Sequence, residues 1–317
     1  MLDIVTLGEP MIQLNAVTPG PLRHVEYFER HVAGAEANVA VAAVRMGLRA
    51  GLISRLGDDE FGKCIAMTLR GEGVDVSQIR VDKHGFTGVY FIQRGFPVPG
   101  RSKVFYYRKG SPASMLGPAD VDQDYIASSK LLYLTGITPA LSGSCLAACT
   151  KAADLSRGAG LKIAFDTNIR PNLWLDQDPR KALLPFLHKA DIIFTDISDT
   201  QMLMGEGNTA KAAQKLMVGG ASIVVMKGGA KKETLAYSGE KVFRQRAFKV
   251  PIVDPVGAGD VFGGVFVSGV SERMEGSGVP CRWERCRAVG RHDQRGPREY
   301  PDRIGDNGFP EGPSQRR

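Results

Sequence analysis

The 317-residue sequence has few cysteines, no long apolar run and no dense basic stripe, and each scarcity narrows what the chain can be. Its cysteines are Cys64, Cys145, Cys149, Cys281 and Cys286, an odd number without a Cys-x-x-Cys pair, which argues against a disulfide framework and a zinc centre. Cys145 and Cys149 stand one helical turn apart and read as core packing. No apolar stretch reaches the roughly 18 residues of a membrane-spanning helix, so no membrane partner is expected. The chain opens strand-like, Met1-Leu2-Asp3-Ile4-Val5, rather than as a leader, and a cytoplasmic setting is the expectation. A Gly-x-x-x-x-Gly-Lys-Ser/Thr segment is missing, which excludes a P-loop. The net charge of +7 divides into +5 over residues 1–270 (31 Lys+Arg against 26 Asp+Glu) and +2 over 271–317 (10 against 8). With no basic stretch interleaved with aromatics, nucleic acid is not an expected partner; the mild positive balance suits small anionic ligands.

Lysine is absent from residues 271–317, which hold ten arginines, seven glycines and five prolines, whereas residues 1–270 hold sixteen lysines and fifteen arginines. Apolar residues are sparse and aperiodic in that tail, so it reads as a disordered or poorly packed appendage. A reading frame lost near Val270, or an unrelated sequence, is the expectation for it. Residues 1–270 form the expected domain.

What is present in those residues is a regular alternation. Hydrophobic residues make up 43% and charged residues 24% of the chain, ordinary globular values. Leu2 to Leu7 alternates apolar residues and predicts a first strand. Glu36 to Met46 carries Ala and Val at helical spacing and stops at Gly47. Ala50 to Ser54 predicts a second strand and Asp58 to Leu69 a helix. From Lys130 onward, strand-like Leu131–Leu134, Leu161–Phe165, Asp191–Phe194 and Ser222–Met226 alternate with helix-like Ser142–Arg157, Pro179–His188 and Thr209–Met217. Repeated βα units of this kind predict a mostly parallel sheet with helices on both faces. Ligands of such sheets bind at the carboxyl ends of the strands, where the polar clusters Asp166–Arg170, Asp196–Asp199 and Lys227–Gly229 fall. Gly88–Arg94 and Lys103–Arg108 differ: they are rich in aromatic and β-branched residues, and the turn Phe96-Pro97-Val98-Pro99-Gly100 separates them, which predicts paired strands outside the βα units.

The densest chemical signal is Val253-Asp254-Pro255-Val256-Gly257-Ala258-Gly259-Asp260-Val261-Phe262. An apolar run leads in and a helix-like run, Val261 to Val270, leads out. Small residues at a helix start expose backbone N–H groups where the dipole also favours anions. Asp260 in the first turn stands where a base could deprotonate a hydroxyl attacking a phosphoryl group. Taken alone, Gly-Ala-Gly-Asp is equally a tight turn with an acid stabilising a helix start.

Asp254 to Asp260 resembles the C-terminal signature of the ribokinase-like (PfkB) carbohydrate kinases, and Ala33-Gly34-Ala35-Glu36-Ala37-Asn38-Val39-Ala40 resembles their N-terminal one. The resemblance runs from Leu2 to about Val270. Phe105-Tyr106-Tyr107-Arg108 and Asp166-Thr167-Asn168-Ile169-Arg170-Pro171 are most similar to the 2-keto-3-deoxygluconate kinases of that family. It implies an α/β ribokinase-like fold with a small β-strand lid, drawn from about residues 9–33 and 86–110, which often also forms a dimer interface. It implies ATP and Mg²⁺ as cofactors, with a monovalent cation possible, and a small sugar acid as substrate.

Carried onto this chain, the resemblance makes Asp260 the catalytic base and Gly257, Ala258 and Gly259 the amide cradle for the transferred phosphoryl. Gly34 and Asn38 fall at the sugar, Gly34 for close backbone approach and Asn38 as donor and acceptor. Family members usually have two glycines where this chain has Ala33-Gly34. Tyr90, Tyr106, Arg108 and Arg170 are the substrate-specificity candidates: on a strand, positions 106 and 108 share a face, and a phenol beside a guanidinium suits a carboxylate. The alternative for Arg108 is a solvated strand residue. Asn168, Ser198, Lys227, Gly228 and Gly229 are the nucleotide-side candidates, with a plain turn as the alternative for the last three. Asp166 and Asp199 are candidates to organise Mg²⁺ through water; Asp196-Ile197-Ser198-Asp199 replaces an Asn-x-x-Glu motif of many relatives, and helix capping explains it equally well. The expected reaction is ATP-dependent phosphorylation of 2-keto-3-deoxygluconate on its 6-hydroxyl. The alternatives are another sugar kinase of this type, such as a fructokinase or ribokinase, or an impaired sugar- and nucleotide-binding relative with an aberrant C-terminus.

Overall fold

A computed structural model describes residues 1–98, 101–175, 177–228, 233–246 and 256–274. β1 (Ile4–Leu7) lies inside a large sheet, and the chain then leaves it for two strands of a small sheet, β2 (Met11–Ala16) and β3 (Phe28–Ala33). It returns through α1 (Ala35–Arg45), β4 (Ala50–Gly57), α2 (Glu60–Gly71) and β5 (Ile79–Asp82), and crosses again for β6 (Val89–Arg94) and β7 (Ser102–Tyr107). Regular alternation follows: α3 (Gln123–Ala127), β8 (Leu131–Thr135), α4 (Gly143–Gly158), β9 (Lys162–Asp166), α5 (Pro179–Lys189), β10 (Ile192–Thr195), α6 (Ile197–Met204), α7 (Thr209–Val218) and β11 (Ile223–Met226). A hairpin, β12 (Glu233–Ser238) with β13 (Lys241–Arg246), precedes the last helix, α8 (Ala258–Met274).

The large sheet has the order β13-β12-β11-β10-β9-β8-β1-β4-β5 and the small one β3-β2-β6-β7. Pairings from β11 across to β5 are parallel; the hairpin adds two antiparallel strands at one edge. The chain order runs outward in opposite directions from the β1–β8 pair, so the crevice at the carboxyl end of the sheet opens there. In the small sheet β2 pairs parallel with β6, while β3 and β7 flank antiparallel.

Period-2 alternation feeds two cores, one on each face of the large sheet. Leu132, Leu134, Ile163, Phe165 and Ile193 face one side, with Cys145, Cys149 and Ala152 of α4 and Leu183 and Phe186 of α5. Ile4, Leu131, Tyr133, Ile192 and Phe194 face the other, with Val39, Ala40 and Ala43 of α1, Ile65 and Leu69 of α2, and Phe266 and Val267 of α8. Helices therefore cover both faces, as the alternation predicts. α8 packs tightly on α1: a Cβ at Gly264 would stand 2.7 Å from the Val39 carbonyl oxygen.

The predicted strands and helices agree with the observed ones to within a few residues. The β12–β13 hairpin is an addition. Its strands mix charges with apolar residues and are only partly buried, so they carry no clear core pattern. Of the Arg-, Gly- and Pro-rich tail, residues 275–317 lie outside the described residues, as does Asp254-Pro255 of the C-terminal signature. Among the described residues no helix is long and apolar enough to cross a membrane.

Candidate active site

The site is assembled at the carboxyl end of the large sheet from three separate helix starts and strand ends. α8 begins at Ala258, after Gly257 at φ 83°, a backbone that an L side chain rarely adopts. The Val261 amide already donates to the Gly257 carbonyl at 2.9 Å, so the amides ahead of it are the ones the helix leaves unpaired. Ala258 and Gly259 are exposed, and a Cβ at Gly259 would meet nothing. This is an open, amide-lined concavity with the positive end of a 17-residue helix behind it.

Asp260 sits in the first turn of α8 and is 8% exposed. Its carboxylate is gripped from two sides: Asn38 Nδ2 donates to Oδ2 at 2.9 Å, and Asn168 Nδ2 donates to Oδ1 at 3.3 Å. Burial raises the Asp260 pKa, and the nearby Asp166 charge adds to the rise; the Asn38 amide, Lys227 and Arg170 oppose it. Neutral amide donors orient the carboxylate without cancelling its charge, which suits a proton acceptor.

Each holder is itself positioned. Asn38 lies in the first turns of α1, whose start is Gly34 at φ 131°. A Cβ at Gly34 would meet the Glu9 carbonyl oxygen at 2.5 Å, so position 34 requires glycine twice over, for conformation and for space. Asn168 follows β9 with φ 34°, a left-handed conformation tolerated best by Asn among side-chain-bearing residues. That turn is pinned by Asp199: Thr167 Oγ1 donates to Asp199 Oδ2 at 2.5 Å and the Ile169 amide donates to the same oxygen at 3.3 Å. Burial lifts the Asp199 pKa to about 6, against the pull of the Thr167 hydroxyl. Beneath α1, Glu36 is buried and accepts from the hydroxyls of Thr135 at 2.6 Å and Thr138 at 2.7 Å, and burial pushes its pKa up to about 7.

Lys227, at the end of β11, donates to both oxygens of Asp166 at 2.6 and 2.8 Å. Burial pulls its pKa down, and Asp166, Asp260 and Asp199 together more than offset that. Gly228 donates its amide to Thr234 Oγ1 at 3.4 Å, and Gly229 lies outside the described residues. Asp196 caps α6, accepting from the Asp199 amide at 2.9 Å and from Ser198 Oγ at 2.5 Å, with Ser198 exposed. Arg170 is exposed and close enough to act on Asp260.

The small sheet meets the α8 start where Met11, Ala33, Tyr90 and Ile92 pack with Val256. Tyr90 is 4% exposed, packs at 5.4 Å and a tilt of 41° against the half-exposed Tyr106, and donates its hydroxyl to Gln13 Oε1. The Arg108 guanidinium lies over the Tyr106 ring at 5.6 Å. Arg108 is not the solvated strand residue that was the alternative for it: its side chain is 9% exposed and ion-paired with Glu9, Nε donating to Oε2 at 2.6 Å. Sequence reading missed Glu9, Gln13, Thr167 and the anchoring part of Glu36. The one signal for Glu9 is an acid in Gly8-Glu9-Pro10, directly after an apolar strand that ends in a buried sheet.

For Asp166 and Asp199, expected near Mg²⁺, the structure shows both carboxylates engaged, with Lys227 and with the Thr167 turn respectively. Among the described residues no group of three or more His, Cys, Asp or Glu could hold a metal. The open amides at the α8 start suit an anionic group such as a phosphate.

The geometry agrees with what the chain is similar to. The family described as pfkB family carbohydrate kinase matches residues 1–279, somewhat past Val270. A 2-dehydro-3-deoxygluconokinase of Thermoproteus tenax is 50% identical over 279 residues, covering 86% of this chain and 84% of that protein. A 2-dehydro-3-deoxygluconokinase of Bacillus subtilis is 35% identical, covering 91% of this chain and 88% of that one. Among solved structures, a PfkB protein of Polaromonas superposes with a TM-score of 0.80 at 36% identity, covering 92% and 95% of the two chains. A putative Ribokinase II of E. coli, solved in complex with ATP and Mg²⁺, superposes with a TM-score of 0.82 at 26% identity, covering 95% and 96%. This chain belongs to the pfkB family of carbohydrate kinases.

Proposed function

We propose that the protein transfers the γ-phosphoryl group of ATP to the 6-hydroxyl of 2-keto-3-deoxygluconate. The observation that carries the reading is Asp260, buried and clamped by Asn38 and Asn168 beside the open amide cradle of α8. The acceptor hydroxyl gives its proton to the Asp260 carboxylate as its oxygen attacks the γ-phosphorus, and the bond from that phosphorus to the bridging oxygen of the β-phosphate breaks, releasing ADP. The Gly257, Ala258 and Gly259 amides hold the phosphoryl oxygens through the transfer. Lys227, steered by Asp166, supplies positive charge on the nucleotide side. Mg²⁺ supplies neutralisation of the phosphate charge; Asp166 and Asp199 would meet it through its water.

On the opposite wall, Tyr90, Tyr106 and Arg108 receive the sugar acid, with Arg170 reaching in from beyond β9, and its carboxylate matches the guanidinium groups. The small sheet then acts as a lid, and its closing excludes the water that competes as acceptor. Two copies pair through the outer side of that sheet, where Tyr107 is 67% exposed and packs edge-on against Phe91. The protein works in the cytoplasm. For residues 271–317 the lost reading frame remains the proposal; translating the underlying DNA in its other frames tests it, and finding no family-like helices there rejects it.

A coupled assay of ADP release decides the reaction. Wild type should turn over with 2-keto-3-deoxygluconate, and Asp260→Asn should keep its thermal midpoint while losing kcat. Turnover by Asp260→Asn at wild-type rate would end the assignment.

A further inference from the structure

Glu9 occupies the place where the chain passes between the two sheets. It lies in the β1–β2 passage. Its carbonyl oxygen packs on Gly34 in the β3–α1 passage, and its Oε1 packs on Gly88 in the β5–β6 passage, where a Cβ would stand 2.6 Å away. From the stretch that leaves β7, Arg108 Nε donates to Oε2 at 2.6 Å and Ser111 Oγ donates to Oε1 at 2.5 Å. Glu9 itself is 3% exposed.

A buried ion pair is a poor way to hold a hinge merely for stability, because taking both charges out of water offsets most of their attraction. An apolar pair of equal volume would hold the passages as firmly. The charge has value only if the guanidinium is needed as a guanidinium. Glu9 grips Arg108 along its Nε edge, and a planar fork held by that edge presents its Nη1 edge in one fixed direction. Its place over the Tyr106 ring, 5.6 Å from the centroid, restricts it further.

We propose that Glu9 is a positioning residue for sugar-acid recognition: it holds Arg108 by one edge so that the other edge meets the substrate carboxylate. This rests on the sugar-acid reading above. The motif resemblance named Arg108 but not Glu9; the role of Glu9 comes from its contacts with three neighbouring passages.

The test compares wild type, Glu9→Gln, Glu9→Asp and Arg108→Ala on 2-keto-3-deoxygluconate and on fructose, each with KM and kcat resolved. Glu9→Gln should raise KM for the acid by about tenfold or more, the size of one charge-assisted hydrogen bond, with a much smaller change for the neutral sugar. Glu9→Asp keeps the charge but withdraws it by one methylene; it should show an intermediate loss, and it decides the matter if Glu9→Gln does not fold. Equal losses on both sugars would make Glu9 a plain hinge and overturn the proposal, as would tighter binding of the acid by Glu9→Gln, which would show Glu9 competing with substrate for Arg108. If Arg108→Ala itself loses both sugars equally, the sugar-acid reading fails; if Arg108→Ala is selective and Glu9→Gln is not, only the role of Glu9 fails.

Discussion

Two buried glutamates divide the crevice into unlike halves. On the sheet side, Glu36 is held by neutral donors, chiefly the hydroxyls of Thr135 and Thr138, and burial pushes its pKa to about 7. On the small-sheet side, Glu9 is held by a guanidinium and a hydroxyl, those of Arg108 and Ser111. The same contrast recurs one layer up. Asp260 is oriented by amides that leave its charge in place, whereas Arg108 is oriented by a partner that neutralises it. In the reaction we propose, the base of the reacting half is aimed by neutral amides and is not ion-paired, whereas the cation of the recognition half is ion-paired until a substrate shares it. Rate and specificity should therefore fail separately when each half is broken.

The largest expected effect lies in the reacting half. Asp260→Asn removes the proton acceptor while keeping the shape of the site, and kcat should fall by about 10²- to 10⁴-fold, the usual worth of a positioned general base. The pH profile sharpens the point. Asp260 must be ionised to act, and burial raises its pKa, so kcat/KM should fall as the pH drops through a limb above the ordinary aspartate value of about 3.9. A limb at or below that value would mean that the clamp keeps the carboxylate as acidic as in water.

Glu36 gives the next largest effect, on stability rather than rate. Its folded pKa of about 7 stands above the usual 4.5, so the fold prefers the protonated form. The stability it contributes is complete below about pH 4.5 and is lost as pH rises through about 7. Glu36→Gln keeps an oxygen for both threonine hydroxyls and cannot ionise. Its advantage over wild type in denaturant unfolding should grow across that interval to the order of 3 kcal/mol, from about 1.36 kcal/mol per pH unit. Parallel curves for the two proteins from pH 4 to 8 would show that Glu36 does not titrate there.

How much of this was legible beforehand depends on whether a residue's role is local. The parallel sheet was, because apolar strand and helix runs alternate along the chain and need no partner to be seen. The α8 start was, because small residues and an acid lead directly into an apolar helical run in one continuous stretch. What was not legible is pairing across distance. The Asn38–Asp260 hydrogen bond spans 222 positions, and nothing local ties one to the other. Glu9 and Arg108 are 99 positions apart, and nothing beside either residue announces the other. Asp199 suggested a metal by its motif position, but its hold on the Thr167 turn, 32 positions away, left no local sign. The β12–β13 hairpin escaped because an edge exposed on both faces need not alternate cleanly.

Arg108→Ala tests the recognition half and should be weaker than the Asp260 change. A charge-assisted hydrogen bond is worth about 1.5–3 kcal/mol, so kcat/KM for the sugar acid should fall by roughly ten- to a hundredfold. The loss should sit in KM, with the neutral sugar much less affected. The variant also leaves Glu9 buried without its cation, so its thermal midpoint should drop; a loss of kcat with KM unchanged would place Arg108 in the reacting half and erase the distinction.

The smallest effect has two signs, and both can be read in one protein. Asn168 sits at φ 34° and donates its amide to Asp260 from there. Asn168→Gly accepts that backbone without a Cβ, so the folded state should lose little stability or gain up to about 1 kcal/mol of relieved strain, less the added freedom of the unfolded chain. The amide is gone, however, and Asp260 keeps only the Asn38 grip. A neutral hydrogen bond of about 1 kcal/mol corresponds to a severalfold loss of kcat. An unfolding midpoint near wild type together with that kcat loss would show a turn kept for aim rather than for stability. A large drop in midpoint with kcat preserved would reverse the assignment and make Asn168 a fold residue that merely lies near the base.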